Sequence, residues 1–190
     1  MRRASVCLAV MALLGAMVPV AAASVAEAMD LEELVHEADE IVLGTVMQRR
    51  SRWEGRHIVT DVTLRVSEAL EGRARPGGRL VVTHLGGEVG DVGMRVAGMP
   101  VFEDGARSLV FAKRGRRSGS LWPVGMSQGV MAVRRRGGDD VVMPGAAGLA
   151  LARRTGTGKL APAPPAVLHP RPLDEVLEEV RALVRQERGR

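Results

Sequence analysis

The feature that most constrains the fold is a glycine-rich stretch held between two strand-like runs within residues 80–113. The β-branched run 80–83 precedes it, and the apolar run 109–112 follows a Glu-Asp-Gly turn signal at 103–105. Five glycines fall within thirteen residues, at positions 86, 87, 90, 93 and 98. Glycine permits positive φ and close backbone approach, but it loses more conformational entropy on folding than other residues. A loop of this composition needs a rigid frame, and its flanks predict a small β-barrel or sandwich.

Other short runs predict more strands. Residues 58–67 alternate apolar and polar side chains, which is typical of a strand with one buried face. A polar turn is predicted at residues 49–56, just before this strand, and a short edge strand at 141–143. Many short strands with frequent turn signals favour a mainly β fold, a small antiparallel OB-like β-barrel. The remaining predicted strands are 41–47, 80–85 and 130–133.

Two helices are predicted at the ends of this domain. Asp30 and Glu33 have the spacing of a capping box, which begins a short N-terminal helix. An apolar stripe predicts a C-terminal amphipathic helix at 173–190, which either docks on the barrel or binds a partner. Five prolines lie close together before it, so residues 153–172 are interpreted as an extended, poorly ordered linker after a barrel domain at 24–152.

Residues 1–23 have the three parts of a secretory signal peptide. Arg2 and Arg3 precede a nearly apolar run, and an alanine cluster predicts cleavage after Ala23, with Ala28 as the alternative. An uncleaved membrane anchor is the competing interpretation, because the run approaches the length of a spanning helix. We therefore expect an extracytoplasmic bacterial protein, periplasmic or secreted, that contacts the membrane only if this segment is retained.

Composition narrows the classes of function. Cys7 is the only cysteine and lies in the signal, so the mature chain has no disulfide. The formal charge is +5, and losing Arg2 and Arg3 leaves +3. The chain has only two Trp, two Phe and no Tyr, so it lacks the aromatic platforms on which single-stranded nucleic acids stack. We expect no nucleic-acid partner.

One catalytic motif occurs, at Ser127. Residues 125–129 match the G-x-S-x-G nucleophile elbow, which needs a strand before the serine, a helix after it, and an acid and a histidine later in the chain. Asp139 or Asp140 and then His169 supply the order. The strand-like run after Ser127 does not fit the motif, so a glycine-flanked turn is favoured.

No cofactor or metal site is predicted. The fragment at 156–159 lacks two residues of a phosphate loop, and the four histidines have no metal-binding spacing. His36 lies at helical distance from Glu32 and Glu40, which a charged helix face explains. Glu88 and Asp91 give two carboxylates, fewer than the six to eight oxygens that calcium takes.

Three segments, at 38–46, 66–72 and 102–111, together resemble a pattern of uncharacterised exported bacterial proteins. Their order, over residues 30–133, is similar to the OB-type barrel of tissue inhibitors of metalloproteinases and netrin-like modules. The resemblance implies the fold. Those inhibitors chelate zinc through an N-terminal cysteine held by disulfides, and here no cysteine follows Cys7, so no functional residue carries over.

The function expected from the sequence is a non-enzymatic binding or envelope-associated module whose partner is a protein or envelope component. The contact surface is predicted in the loop 86–98, where Gly86, Gly87, Glu88 and Asp91 are the candidate binding residues. No catalytic residue is assigned, because no acid, base and nucleophile converge. The alternative is a small secreted serine hydrolase that uses Ser127.

Overall fold

The computed structural model describes residues 24–115, 119–146 and 148–189. The predicted signal segment 1–23 lies outside the described residues. Thirteen strands and two α-helices make this part of the chain mainly β. The helices are α1 (Leu31–Glu37) and α2 (Leu173–Arg188). The strands are β1 (Ser24–Glu27), β2 (Glu40–Glu54), β3 (His57–Glu71), β4 (Arg79–Leu85), β5 (Gly87–Val89), β6 (Val92–Met94), β7 (Arg107–Arg114), β8 (Leu121–Pro123), β9 (Val130–Arg136), β10 (Asp139–Val142), β11 (Leu149–Arg154), β12 (Leu160–Pro162) and β13 (Arg171–Pro172).

The hairpin of β2 and β3 is the longest element, and it corrects the predicted turn at 49–56. Each strand has 15 residues, and the reversal takes place only at Gly55, with φ +60°, and Arg56. Polar cross-strand pairs extend the strands through this sequence: Arg52 donates to Asp61 at 2.8 Å. Burial opposes ionisation of Asp61, but hydrogen bonds from Arg52 and Thr83 outweigh it and lower the pKa of this carboxyl. Paired polar side chains therefore replace the apolar alternation that would have identified a strand.

The largest sheet has eight strands in the order β13-β10-β9-β7-β2-β3-β4-β8. Strand β8 pairs with β4 in parallel at Val82 and Leu121, and also with β7 in antiparallel register. Five strands, β2, β3, β4, β8 and β7, thus form a series of pairings that returns to its start, here called the strand ring. Predicted edge strand 141–143 corresponds to β10, which is flanked by β9 and β13 and is not an edge.

Apolar side chains pack on both sides of this sheet. One cluster lies on the sheet face turned away from the helices, here called the inner face, and includes Val62, Leu64, Val82 and Phe102. The other lies between the outer sheet face and the two helices. Successive residues of a strand point to opposite faces, so Val42 and Val110 belong to the inner cluster while Leu43 and Leu109 belong to the outer one.

Both predicted helices are present. Asp30 and Glu33 form the capping box of α1, since each side chain accepts the other's backbone N–H. Helix α2 docks on α1 and on the outer sheet face, with Val176 and Val180 completely buried. Docking in the same chain is therefore the observed arrangement of this helix. Neither helix within the described residues has the length and apolar run that a membrane span requires.

Residues 153–172 are not the extended, poorly ordered linker that the prolines indicated. Strand β11 continues to Arg154 and pairs with β1 and β12, while β13 pairs with β10. Val167 is 1% exposed and packs in the cluster beneath the helices. Proline is tolerated on edge strands, and Pro162 in β12 and Pro172 in β13 lie at such edges.

Candidate binding cleft

The glycine-rich loop forms a small hairpin that folds back over the strand ring. Strands β5 and β6 pair from Gly87–Met94 to Val89–Val92, and Gly90 and Asp91 make the turn. A Cβ atom on Gly87 would lie 2.3 Å from both Ser51 Oγ and Thr60 Oγ1, and the φ of this residue is +136°. Only glycine lets the hairpin approach β2 and β3 this closely.

Beneath this hairpin, the inner face of the strand ring changes from apolar to polar. Thr60 and His84 are opposite each other in the register of β3 and β4, two residues beyond the inward-facing Val62 and Val82. Because strand side chains alternate with period two, Thr60 and His84 continue the inner face. This end of the strand ring, where the apolar cluster of the inner face stops, is called its mouth.

A directed chain of hydrogen bonds connects the hairpin to this mouth. Thr60 Oγ1 donates to the carbonyl oxygen of Gly86 at 2.6 Å. The hydroxyl proton of Thr60 is used in that bond, so in the bond between the two hydroxyl groups Ser51 Oγ donates to Thr60 Oγ1, at 2.9 Å. The backbone N–H of Glu88 donates to Ser51 Oγ at 3.3 Å. Thr60 is 6% exposed, and these bonds fix the hairpin over it.

His84 supplies a titratable ring to the cleft. Its Nδ1 lies 2.9 Å from the carbonyl oxygen of Leu85, and a carbonyl only accepts, so Nδ1 carries the proton. Phe102 stacks on the imidazole with ring centroids 5.8 Å apart. Burial lowers the pKa of His84 from its ordinary value, which keeps the ring neutral at pH 7. Nε2 is then a hydrogen-bond acceptor, and no donor within the described residues is bonded to it.

The space between the hairpin, the following segment and the mouth is a cleft of about 960 Å³. Its walls combine polar and apolar surface, and the apolar side chains that contribute include Met94, Val96, Met99, Val101 and Phe102. Arg49, Arg95 and Glu88 are the charged residues of the lining. Arg49 donates to both carboxylate oxygens of Asp104, at 2.9 and 3.3 Å, so its charge is already paired.

The predicted binding residues divide between two places. Gly86, Gly87 and Glu88 line the cleft, whereas Asp91 sits at the exposed hairpin turn outside it. Thr60, His84 and Ser51 were not identified from the sequence. The alternation within residues 58–67 already places Thr60 on the apolar face of its strand, and extending the same pattern from Val82 to His84 would have placed His84 there as well.

Ser127 is not set in a nucleophile elbow. It lies in a four-residue 3₁₀ turn, Met126–Gly129, between strands β8 and β9, and it is 3% exposed. Its neighbour Gln128 is also buried and binds the backbone of Glu27, Met29 and Gly125. The strand–turn–helix geometry that exposes a catalytic serine is therefore not the geometry of this segment.

Within the described residues, no three histidine, aspartate or glutamate side chains are grouped so that they could hold a metal ion. His36 contacts Glu187 of α2 at 3.3 Å. Glu40 is instead buried at the start of β2, so it does not share a helix face with His36.

A second groove, of about 710 Å³, lies where α1 meets the end of α2. Apolar atoms of Ala28, Met29 and Met126 line it, and Glu27 and Glu37 are among its charged residues. Glu37 is paired with Lys113 at 2.9 Å.

No model of a known protein family matches this chain. A comparison with curated proteins likewise found none that is similar.

Proposed function

We propose that this protein is an exported, non-enzymatic binding module that acts outside the cytoplasm and takes its ligand in the cleft under the β5–β6 hairpin. The single observation that carries the proposal is the polar mouth of the ring, where Thr60 and neutral His84 lie beside apolar side chains in a cleft of about 960 Å³. A concave site that combines apolar walls with a few fixed polar groups is the usual form of a ligand site.

Export is supported by the sequence of residues 1–23, which has a basic start, an apolar run and a small-residue cleavage site. Cleavage after Ala23 would also remove Cys7, so the mature chain suits an oxidising compartment without forming disulfides.

For the fold, we propose that the strand ring is a closed OB-like barrel. The support is β8, which pairs with both β4 and β7 and so joins the two ends of the series. The same proposal would account for the resemblance to tissue inhibitors of metalloproteinases and netrin-like modules. It brings no zinc-chelating inhibition, because no cysteine follows Cys7.

A neutral dye that brightens in apolar surroundings, N-phenyl-1-naphthylamine, tests the cleft. Ala97 is exposed and lines the cleft, so Ala97→Trp places a large side chain in it without touching the core. Val92→Trp adds the same side chain on the hairpin outside the lining and is the matched control. We expect the wild type and Val92→Trp to bind the dye equally and Ala97→Trp to bind it about tenfold more weakly, since an aromatic side chain can cover 150–250 Å². Unchanged binding by Ala97→Trp, or no binding to the wild type, would refute the proposal.

The alternative function, a serine hydrolase using Ser127, is disfavoured by the burial of that side chain. We expect a fluorophosphonate probe to leave the folded protein unlabelled, in the wild type and in Ser127→Ala alike. Labelling that disappears in Ser127→Ala would establish the hydrolase instead.

A further inference from the structure

Among the described residues that line the cleft, the charges leave Arg95 available to a ligand. Arg49 is bound by both oxygens of Asp104, and Glu88 is an exposed carboxylate on the hairpin. Arg95 follows β6, is exposed, and has no ion-pair or hydrogen-bond partner within the described residues. A guanidinium matches a carboxylate with two parallel hydrogen bonds, which makes a terminal carboxylate the fitting group for Arg95.

The imidazole of His84 requires a different chemical group on the ligand. Because Nδ1 donates to the carbonyl of Leu85, Nε2 of the neutral ring can only accept. A ligand that satisfies it must bring an N–H or O–H donor. An ionised fatty acid has a carboxylate but no donor, whereas a peptide has a backbone N–H close to its terminal carboxylate.

The rest of the cleft wall offers apolar contacts to the side chains of a ligand. Val101 is 79% exposed, although it is a large apolar residue beside the buried Phe102. Met94 and Met99 lie on the same walls, and methionine side chains adapt to irregular apolar surfaces. Residues 99–103 belong to no strand, so their backbone is not committed to a sheet ladder.

We propose that the cleft binds the C-terminus of a short apolar peptide segment, with its α-carboxylate on Arg95 and a backbone N–H on His84 Nε2. The apolar side chains of the peptide lie against Val101, Met99 and Phe102. This proposal rests on the proposed function, because it names the ligand class of the same cleft. Capture of a terminal carboxylate is one of the general modes by which proteins recognise peptides.

Calorimetric titration with acetyl-Val-Val-Val, as the free acid and as the C-terminal amide, tests the proposal. We expect the wild type to bind the acid at least about tenfold more tightly than the amide, because charge-assisted hydrogen bonds are among the strongest. Arg95→Gln abolishes that preference and leaves the amide affinity unchanged. Arg135→Gln, which removes an exposed arginine of β9 outside the cleft, retains the preference and is the matched control.

The contribution of His84 has its own variant and ligand. His84→Phe keeps a ring against Phe102 but removes Nε2, so it weakens acid and amide by the same factor. Laurate, with a carboxylate and no N–H, binds more weakly than the free-acid peptide to the wild type and is unaffected by His84→Phe. If His84→Phe does not fold, the comparison of Arg95→Gln with Arg135→Gln still decides the proposal.

Equal affinity for acid and amide, a preference that survives Arg95→Gln, or laurate binding as tightly as the peptide would each overturn the inference. These failures are distinct from failure of the proposed function. If the dye binds and Ala97→Trp blocks it while no peptide binds, the cleft is a ligand site and the peptide assignment is wrong. If neither dye nor peptide binds in the cleft, both are wrong.

Discussion

The carboxylate of Glu40 is 3% exposed at the start of β2 and holds the turn after β3. Its two oxygens accept the backbone N–H groups of Arg73 and Ala74, each at 3.0 Å. Gly72, with φ +95°, is adjacent, and a Cβ there would lie 2.3 Å from a carboxylate oxygen of Glu40. Gly72 therefore leaves the space that the Glu40 carboxylate needs to bind this turn.

Replacing Glu40 by glutamine should be costly, although the side chains are nearly the same shape. An amide oxygen in place of Oε2 would keep both N–H bonds, but the NH₂ in place of Oε1 would face the N–H of Arg73 and be a buried donor without an acceptor, at about 1–3 kcal/mol. Glu178→Gln, on the exposed face of α2, is the control and should leave stability unchanged. Urea unfolding of both variants makes the comparison, and a Glu40→Gln protein as stable as the control would contradict this assignment.

His84 should make stability depend on pH. Burial lowers its folded-state pKa, with Arg49 also disfavouring the charged ring, while the Leu85 carbonyl and Asp61 oppose the shift. The unfolded state therefore binds its proton first, so this stabilisation is complete above about pH 6.5 and is lost as pH falls toward the folded-state pKa. The difference in unfolding free energy between the wild type and His84→Gln, followed from pH 8 to 5, measures it. A difference that stays constant over this range would show that His84 titrates as in the unfolded chain.

Helix α2 is attached by apolar packing and by ion pairs, which contribute different amounts to the stability of the protein. Val180 is completely buried, so Val180→Ala removes two carbons from the core and should cost about 2 kcal/mol. Arg181 binds Glu68 at 2.6 Å, but 40% of its side chain is exposed, so Arg181→Gln should cost less than about 1 kcal/mol. Thermal unfolding of the two variants compares them. A larger loss in Arg181→Gln would mean that ion pairing holds the helix.

Strands β3 and β4 place two arginines directly opposite each other. Arg65 and Arg79 are register partners, both exposed, and neither has an ion-pair partner within the described residues. Like charges in this position destabilise a sheet, so Arg79→Glu should stabilise the protein by about 0.5 kcal/mol at low salt. Arg79→Gln should give a smaller gain.

Salt distinguishes this electrostatic cause from a change in packing. At 1 M salt the screening length falls to about 3 Å, so the gain in Arg79→Glu should largely disappear. Urea midpoints measured at low and high salt test this. A gain of the same size at both concentrations would show that charge is not its origin.

What the sequence could predict differs between these elements for physical reasons. Residues 58–67 were identified as a strand because one face is buried and the period of two is visible. The sequence predicts a turn at residues 49–56, because the cross-strand partners there, such as Asp61 for Arg52, are polar. The prolines in 153–172 indicated a linker, yet Pro162 and Pro172 lie on edge strands and Val167 is in the core. His84 has no motif around it, and only the pairing with Thr60 places it at the mouth of the ring.

For the whole molecule, export predicts a covalent change that can be counted. A chain cleaved after Ala23 begins at Ser24 and contains no cysteine, because Cys7 is the only one in the sequence. We expect the protein isolated from the periplasm or medium of a bacterial host to have the corresponding intact mass. Under denaturing conditions it should give no thiol reaction. A membrane-bound product that keeps one thiol per chain would contradict cleavage and indicate a tethered domain.

The central claim is that ligands enter the cleft at the mouth of the strand ring, and an NMR titration of the isotope-labelled protein with N-phenyl-1-naphthylamine tests it most directly. We expect the largest chemical-shift changes on Thr60, His84, Arg95 and Phe102. Changes concentrated instead on Met29, Gly125 and Met126 would place the ligand in the groove beside α1 and contradict the account.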